Sequence, residues 1–324
     1  MSALPTPSEK EIRFVEGTYE AIIRDVLGSR VSAEPLKVVE TPTPWSFTTP
    51  VLFEGRNAFV KIVAREEGVA GSIHHELEAA KQLSEIGVAP GVLFSDYANG
   101  IVVTEAVEVG GIPSMEGLVA ALHSIHRSKI FLSPAIRQSR IQATISYLAT
   151  LASDCRENRV FGKALEILAS NYMLYEEGTA LCHGDLNPTN VLSGPEGKVY
   201  LLDFDFSGAG NPIFDIATLS LWRCNTHRDM KEILELYYKK SATEEALGDF
   251  HAARKFVLAR YACMTRWIAQ IEQLPNDFPW EGSDLKAFRV PMLSEDKAMS
   301  VLRLAVSFAK ALVNYDEDNL LSAE

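Results

Sequence analysis

Apolar residues recur at intervals of three and four near the start of the chain, at Ile12, Val15, Tyr19, Ile22 and Val26. Ser8 followed by Glu11 forms a capping-box pattern ahead of them, so the spacing predicts an opening amphipathic helix. After Pro35 the rhythm changes to short β-branched runs at 36–40, 48–55 and 57–64, with Glu-Gly-Arg-Asn at 54–57 reading as a hairpin turn. A small antiparallel sheet is expected there. Ile73, Leu77, Ala80 and Leu83 then share a helical face, with Gly87 just beyond its end. Two further strand candidates occupy 91–96 and 100–107, and the stretch Glu-Val-Gly-Gly-Ile-Pro-Ser at 108–114 breaks the pattern. The boundary of the first domain is drawn at 107/108.

From Ser114 onward the period is mostly helical, over 114–128, 139–158 and 160–178, then again over 215–224, 228–241, 250–273 and 294–315. The exception is 179–208, where two short apolar runs flank polar turns. No internal repeat and no low-complexity tract is present. The pattern predicts an α+β protein, with a small sheet-bearing N-terminal lobe (1–107) and a mostly helical C-terminal lobe (108–324).

A formal net charge of -12 over 324 residues disfavours a sequence-independent grip on nucleic acid or anionic lipid. It suits a cationic or polyhydroxylated small molecule. Cys155, Cys182, Cys224 and Cys263 lack metal-ligand spacing and read as buried reduced thiols. The first residues have no basic segment followed by an apolar core, and the apolar run at 301–313 is short and interrupted by Arg303 and Lys310. These features point to a cytoplasmic protein with no membrane partner. Helical surface in the second half leaves room for a second copy of the chain as partner. The acidic 315–319 stretch reads as a solvated helix end.

Phosphoryl transfer from a nucleotide needs a cation on the phosphates, hard oxygen ligands for Mg²⁺, and a carboxylate at the acceptor hydroxyl. The chain offers each in order. Lys61 sits inside an apolar strand, where an ammonium is costly unless paired or aimed at a ligand; an edge-strand lysine facing water is the alternative. Glu76 on the following helix is the natural partner, with Glu78 about 200° round the same helix as the fallback. Asp185 and Asn190 stand five apart in a loop that Pro188 keeps from becoming a regular helix. Asp203 follows at the end of a strand, and the turn at 193–197 can bring it back toward Asn190. Each piece has a plainer reading, an Asx turn at 187–190 or solvated carboxylates at 203 and 205. All four together in this order favour the chemistry.

The segments His-Gly-Asp-Leu-Asn-Pro-Thr-Asn-Val-Leu at 183–192 and Val199–Ala217, with 118–126 before them, resemble the aminoglycoside phosphotransferase and choline/ethanolamine kinase superfamily. The resemblance spans about residues 36–270 and implies the bilobal fold of protein kinases. It implies Asp185 as catalytic base, Asn190 and Asp203 as Mg²⁺ ligands, Lys61 with Glu76 on the ATP phosphates, and backbone from Glu105 to Val107 meeting the adenine. His183 and Asp215 take bracing roles. The phosphate loop is expected in 42–50, which has no glycine; Ser46, Thr48 and Thr49 would supply hydroxyls to the phosphate. Choline kinases cage a quaternary ammonium with aromatic rings. Trp222, Tyr261 and Trp267 are the candidates here, although Met264 stands where another tryptophan is expected and Arg266 adds a positive charge. Asp205 joins them as a carboxylate for an amine-bearing acceptor. Protein-kinase activation-loop motifs are missing, so the expected acceptor is a hydroxyl on a small molecule, an amino alcohol or an aminoglycoside. The competing reading is a nucleotide-binding regulatory module with little transfer activity.

Overall fold

The computed structural model describes residues 16–32, 46–63, 72–130, 159–176, 178, 180–224, 226–268, 297–313 and 315. The sequence expectations at 1–15, 36–45 and 139–158 lie outside these residues. The chain forms two compact units, residues 1–125 with 191–207 and residues 126–190 with 208–324.

The first unit is built on a five-stranded antiparallel sheet in the order β1-β2-β3-β5-β4. Its strands are β1 (Val31–Ser32), β2 (Ser46–Phe53), β3 (Arg56–Val63), β4 (Val92–Asp96) and β5 (Ile101–Glu105). The β2–β3 hairpin turns at Glu54 and Gly55, whose φ values of 49° and 78° are those of a two-residue turn that follows the twist of the strands. Helix α1 (Glu16–Leu27) places Ile23 and Leu27 against Phe47, Val51, Phe53, Val60, Ile62, Ile101 and Val103. Helix α2 (Ser72–Glu85) covers the opposite face, where Leu77 meets Val63 and Val102. Because side chains alternate along a strand, Lys61 shares the α2 face with Val63, while Val60 and Ile62 face α1. Helix α3 (Met115–His126) follows, and a short hairpin of β7 (Val191–Ser193) and β8 (Val199–Leu201) completes the unit.

The second unit is mostly helical. A two-stranded ladder pairs β6 (Ala180–Cys182) with β9 (Gly208–Gly210), antiparallel. Around it lie α4 (Arg159–Glu176), α5 (Ile213–Arg223), α6 (His227–Tyr238), α7 (Glu244–Ile268) and α8 (Lys297–Val313). Helix α7 packs against α8, α4 and α5, which explains why apolar residues appear on nearly all of its sides from Phe250 to Cys263. Helix α5 is buried from Ile213 through Trp222. Thr226 and Asp229 close a reciprocal capping box at the start of α6. Among the described residues, no helix is long and apolar enough to cross a membrane.

Two sequence expectations change. The phosphate loop expected over 42–50 overlaps the strand expected from 48, and the strand extends further into it: β2 begins at Ser46 and runs in unbroken register with β3. The strand before Asp203 ends at Leu201, and Asp203 itself takes φ 61°. An aspartate held in the left-handed region costs about 1–2 kcal/mol, so the surroundings enforce this backbone.

Candidate active site

The first unit carries a charge cluster on the α2 face of its sheet. Lys61 Nζ forms an ion pair with Glu76, which lies beside Leu77 on the buried side of α2. It also donates to Asp203 Oδ1 at 3.0 Å and lies 3.7 Å from Asp205 Oδ1. The lysine side chain is 17% exposed, so burial favours its neutral form; the carboxylates of Asp203, Glu76 and Asp205 outweigh burial and hold its pKa well above the lysine range. Glu76 shows the converse. Burial and the adjacent Asp205 carboxylate push its carboxyl well above the usual carboxylate range, against the pull of Lys61.

One ammonium therefore faces three carboxylates. An oxygen from each of Glu76, Asp203 and Asp205 lies within 4.8 Å of the others, a donor set that fits a hard divalent cation such as Mg²⁺. Glu78, the alternative partner for Lys61, instead accepts from Tyr97 OH at 2.8 Å and from Gln82. Thr48 pairs with Lys61 across the β2–β3 ladder and shares its face. Thr49 pairs with Val60, is fully buried, and its Oγ1 has no hydrogen-bond partner among the described residues. Strand alternation thus separates the two threonines that the sequence offered together. At the end of β5, the N–H groups of Glu105 and Ala106 are taken by the carbonyls of Gly91 and Asn57, and the Glu105 carboxylate accepts from the Gly91 N–H at 2.9 Å. Val107 is the next position along the expected hinge.

The second unit carries the 183–190 loop, held from below by Asp215. That carboxylate is fully buried at the start of α5 and accepts the N–H groups of His183 at 2.7 Å and Gly184 at 2.8 Å. It also meets His126 Nε2 at 3.0 Å, and His126 Nδ1 lies 2.7 Å from Tyr237 OH. Burial pushes the Tyr237 phenol far above the usual range, so it stays protonated beside the imidazole. Gly184 has φ 81°, which lets the chain turn directly after His183. His183 accepts the Asp185 N–H on Nδ1 at 3.2 Å, a bracing contact.

Asp185 is 7% exposed, and both of its carboxylate oxygens are engaged. Oδ2 accepts from Asn187 Nδ2 at 3.1 Å and Asn190 Nδ2 at 3.2 Å, and Oδ1 accepts from Tyr261 OH. Asn190 Nδ2 also donates to the Asp185 carbonyl at 3.0 Å. With its amide nitrogen committed, Asn190 keeps Oδ1 as the end that could ligate, where among the described residues it accepts from the Thr189 hydroxyl at 3.3 Å. The turn at 187–190 is at once an Asx turn, with Thr189 N–H on Asn187 Oδ1, and the scaffold for Asp185.

Tyr261 and Trp222, expected as acceptor contacts, lie together with Phe308 of α8. Tyr261 stacks on Phe308 at 5.1 Å, and Trp222 meets both rings edge-on. Asp205, also assigned to the acceptor, stands in the Lys61 cluster instead. Trp267 is on α7, with its side chain outside the described set. Sequence reading missed Arg260, whose guanidinium donates to the Gly184 carbonyl, and Phe308. No periodic signal marks which turn of α7 or α8 meets the loop.

The fold is of the kinase-like phosphotransferase kind. The phosphotransferase enzyme family model (APH) matches residues 45–250, and the chain belongs to this family, as an enzyme of the small-molecule kinase class. In fold it is similar to the choline kinase LicA from Streptococcus pneumoniae, at 18% identity and TM-score 0.61 over 92% of this chain and 100% of that one. A choline/ethanolamine kinase family protein from Mesorhizobium loti matches at 18% identity and TM-score 0.57, over 93% and 96%. The aminoglycoside enzyme APH(2")-IIa, in its ternary complex with streptomycin and ATP, matches at 16% identity and TM-score 0.52, over 76% and 90%. No curated protein sequence matches the chain.

Proposed function

We propose that this chain transfers the γ-phosphate of ATP to a hydroxyl of a small molecule, with Mg²⁺ as cofactor. The observation that carries the reading is the Lys61 cluster, an ammonium tied to a helix glutamate with Asp203 and Asp205 beside it. The three carboxylates outnumber the one ammonium, and Mg²⁺ held there would offset the excess negative charge and bind the nucleotide phosphates. Asn190, Asp203 and Asp205 are the residues assigned to hold Mg²⁺, which would neutralise charge on the transferring phosphoryl group. Lys61, kept charged by its carboxylates, takes phosphate oxygens. Thr48 and Ser46 are assigned to the phosphates as well, and Val107 to the adenine edge. Thr49, with its side chain in the core, drops out of that set.

Asp185 accepts the hydrogen bond of the acceptor O–H and aims its oxygen at the γ-phosphorus. As the new P–O bond forms, the bond to the β–γ bridging oxygen breaks and ADP leaves, and the hydroxyl proton passes to Asp185. The net charge of -12 favours an amine-bearing acceptor, an amino alcohol of the choline or ethanolamine kind or an aminoglycoside. ADP release with Mg·ATP across choline, ethanolamine, streptomycin and neutral sugars tests this. Acceptor-dependent release with the amines supports it. Nucleotide protection against heat with no ADP release from any of them supports a regulatory module instead.

A further inference from the structure

Arg260 and Tyr261 are consecutive on α7, and they reach consecutive residues of the loop. Arg260 donates to the Gly184 carbonyl, and Tyr261 OH donates to Asp185 Oδ1. Neighbouring side chains on a helix diverge by about 100°, so their convergence on one dipeptide means that the loop runs across α7 at this point. The Tyr261 ring has little freedom. It is 3% exposed, stacked on Phe308 with an interplanar angle of 19° and met by Trp222 at 78°.

A phenylalanine would serve that packing equally well, so the hydroxyl has a separate use. A buried phenol needs an acceptor, and this one uses the carboxylate assigned to the chemistry. With Asn187 and Asn190 on Oδ2, the Asp185 carboxylate cannot rotate without breaking three hydrogen bonds. A carboxylate oxygen accepts more than one hydrogen bond, so Oδ1 keeps a lone pair beside the one that Tyr261 fills.

We infer that Tyr261 is a positioning residue for phosphoryl transfer: its O–H sets the Asp185 carboxylate so that the remaining lone pair of Oδ1 meets the acceptor hydroxyl. The inference rests on the phosphotransferase reading above. It moves Tyr261 from a cage around the acceptor's cation to the group that orients the acceptor's oxygen. Arg260 supports the same geometry through the backbone, one residue earlier.

Tyr261→Phe removes the hydroxyl and leaves the ring packing. Turnover is measured as ADP release from Mg·ATP with choline and with water as acceptors, in the wild type, Tyr261→Phe, Asp185→Asn and the double variant, alongside thermal unfolding. The expected result is a fall in kcat of about 10- to 100-fold, the range for one charge-assisted hydrogen bond, with the KM for ATP within about twofold. In the Asp185→Asn background the same change should cost less than about twofold, because the group it acts through has already been altered. A structural role would lower both backgrounds by the same factor, and that outcome overturns the inference, as does wild-type turnover in Tyr261→Phe. Phe308→Leu loosens the stack and keeps the hydroxyl; it should slow turnover less than Tyr261→Phe, and a larger loss assigns the effect to packing. Wild-type turnover in Asp185→Asn, or no ADP release from the wild-type chain, sinks the phosphotransferase reading itself.

Discussion

The Lys61 cluster of the first unit and the Asp185 cluster of the second treat negative charge in opposite ways. Around Lys61, three carboxylates crowd one ammonium, and burial with the neighbouring Asp205 raises the pKa of Glu76. Around Asp185, a single carboxylate is satisfied by neutral donors, Tyr261, Asn187 and Asn190, on a loop anchored by buried Asp215. The first carries surplus negative charge; in the second, each Asp185 oxygen already has a neutral donor. Preorganised donors cost no rearrangement during reaction, whereas surplus charge gives affinity for the cation that relieves it.

The sharpest break of that contrast is Asp185→Asn, which keeps the shape and removes the charge. It should lower kcat by about 10³-fold, within the range for a positioned acid–base group, with the KM for ATP little changed. Steady-state ADP release reads both. Lys61→Met attacks the other region and should lower kcat/KM for ATP by about 10²-fold, as for loss of one charge-stabilising donor. If instead it affected only the acceptor's KM, the division of labour between the regions would be wrong.

Asp215→Asn should destabilise the chain by about 2–4 kcal/mol in denaturant unfolding, since the loop N–H groups and His126 lose their shared anion. The Lys61 region predicts a pH effect. Glu76 has a raised pKa when folded, so the metal-free fold binds its proton more tightly than the unfolded chain does. Stability should be fully present below the usual carboxylate range and fall as pH rises from there through the raised value, by at most about 1.4 kcal/mol per pH unit for one proton. Mg²⁺ should flatten that slope in thermal melts, and an unchanged slope would remove Glu76 and its neighbours as cation ligands. The smallest effect is Thr49→Val, which replaces a buried, unpartnered hydroxyl and should change stability by less than about 1 kcal/mol with no change in the KM for ATP. Thr48→Val, on the Lys61 face, should raise that KM severalfold.

Much of this was legible from local pattern. The β2–β3 hairpin, the helix carrying Glu76, the strands flanking 97–100 and the 183–190 loop all appear where alternation, helical spacing and turn residues put them. The choice of Glu76 over Glu78 came from the way kinase-like folds tie a strand lysine to a helix glutamate, with helix geometry turning Glu78 about 200° away. The two-residue strand β1 and the β6–β9 ladder were not legible, because such short segments have no period of their own and exist through pairing with distant residues. Tyr261 was seen as an aromatic for the acceptor without its bond to Asp185, and Arg260 was missed, because α7 is buried on nearly every side. Its sequence carries no polar face to mark where another element must sit.

What the sequence alone determined is therefore the order of elements and the kinds of group available, since these depend on residues a few positions apart. Which oxygen of Asp185 meets Tyr261, which threonine of β2 shares a face with Lys61, and that Asp205 belongs with Lys61 were decided only by tertiary structure. Those outcomes depend on strand register and on contacts across 76 to 144 positions of chain, and long-range packing writes no periodic signal into sequence.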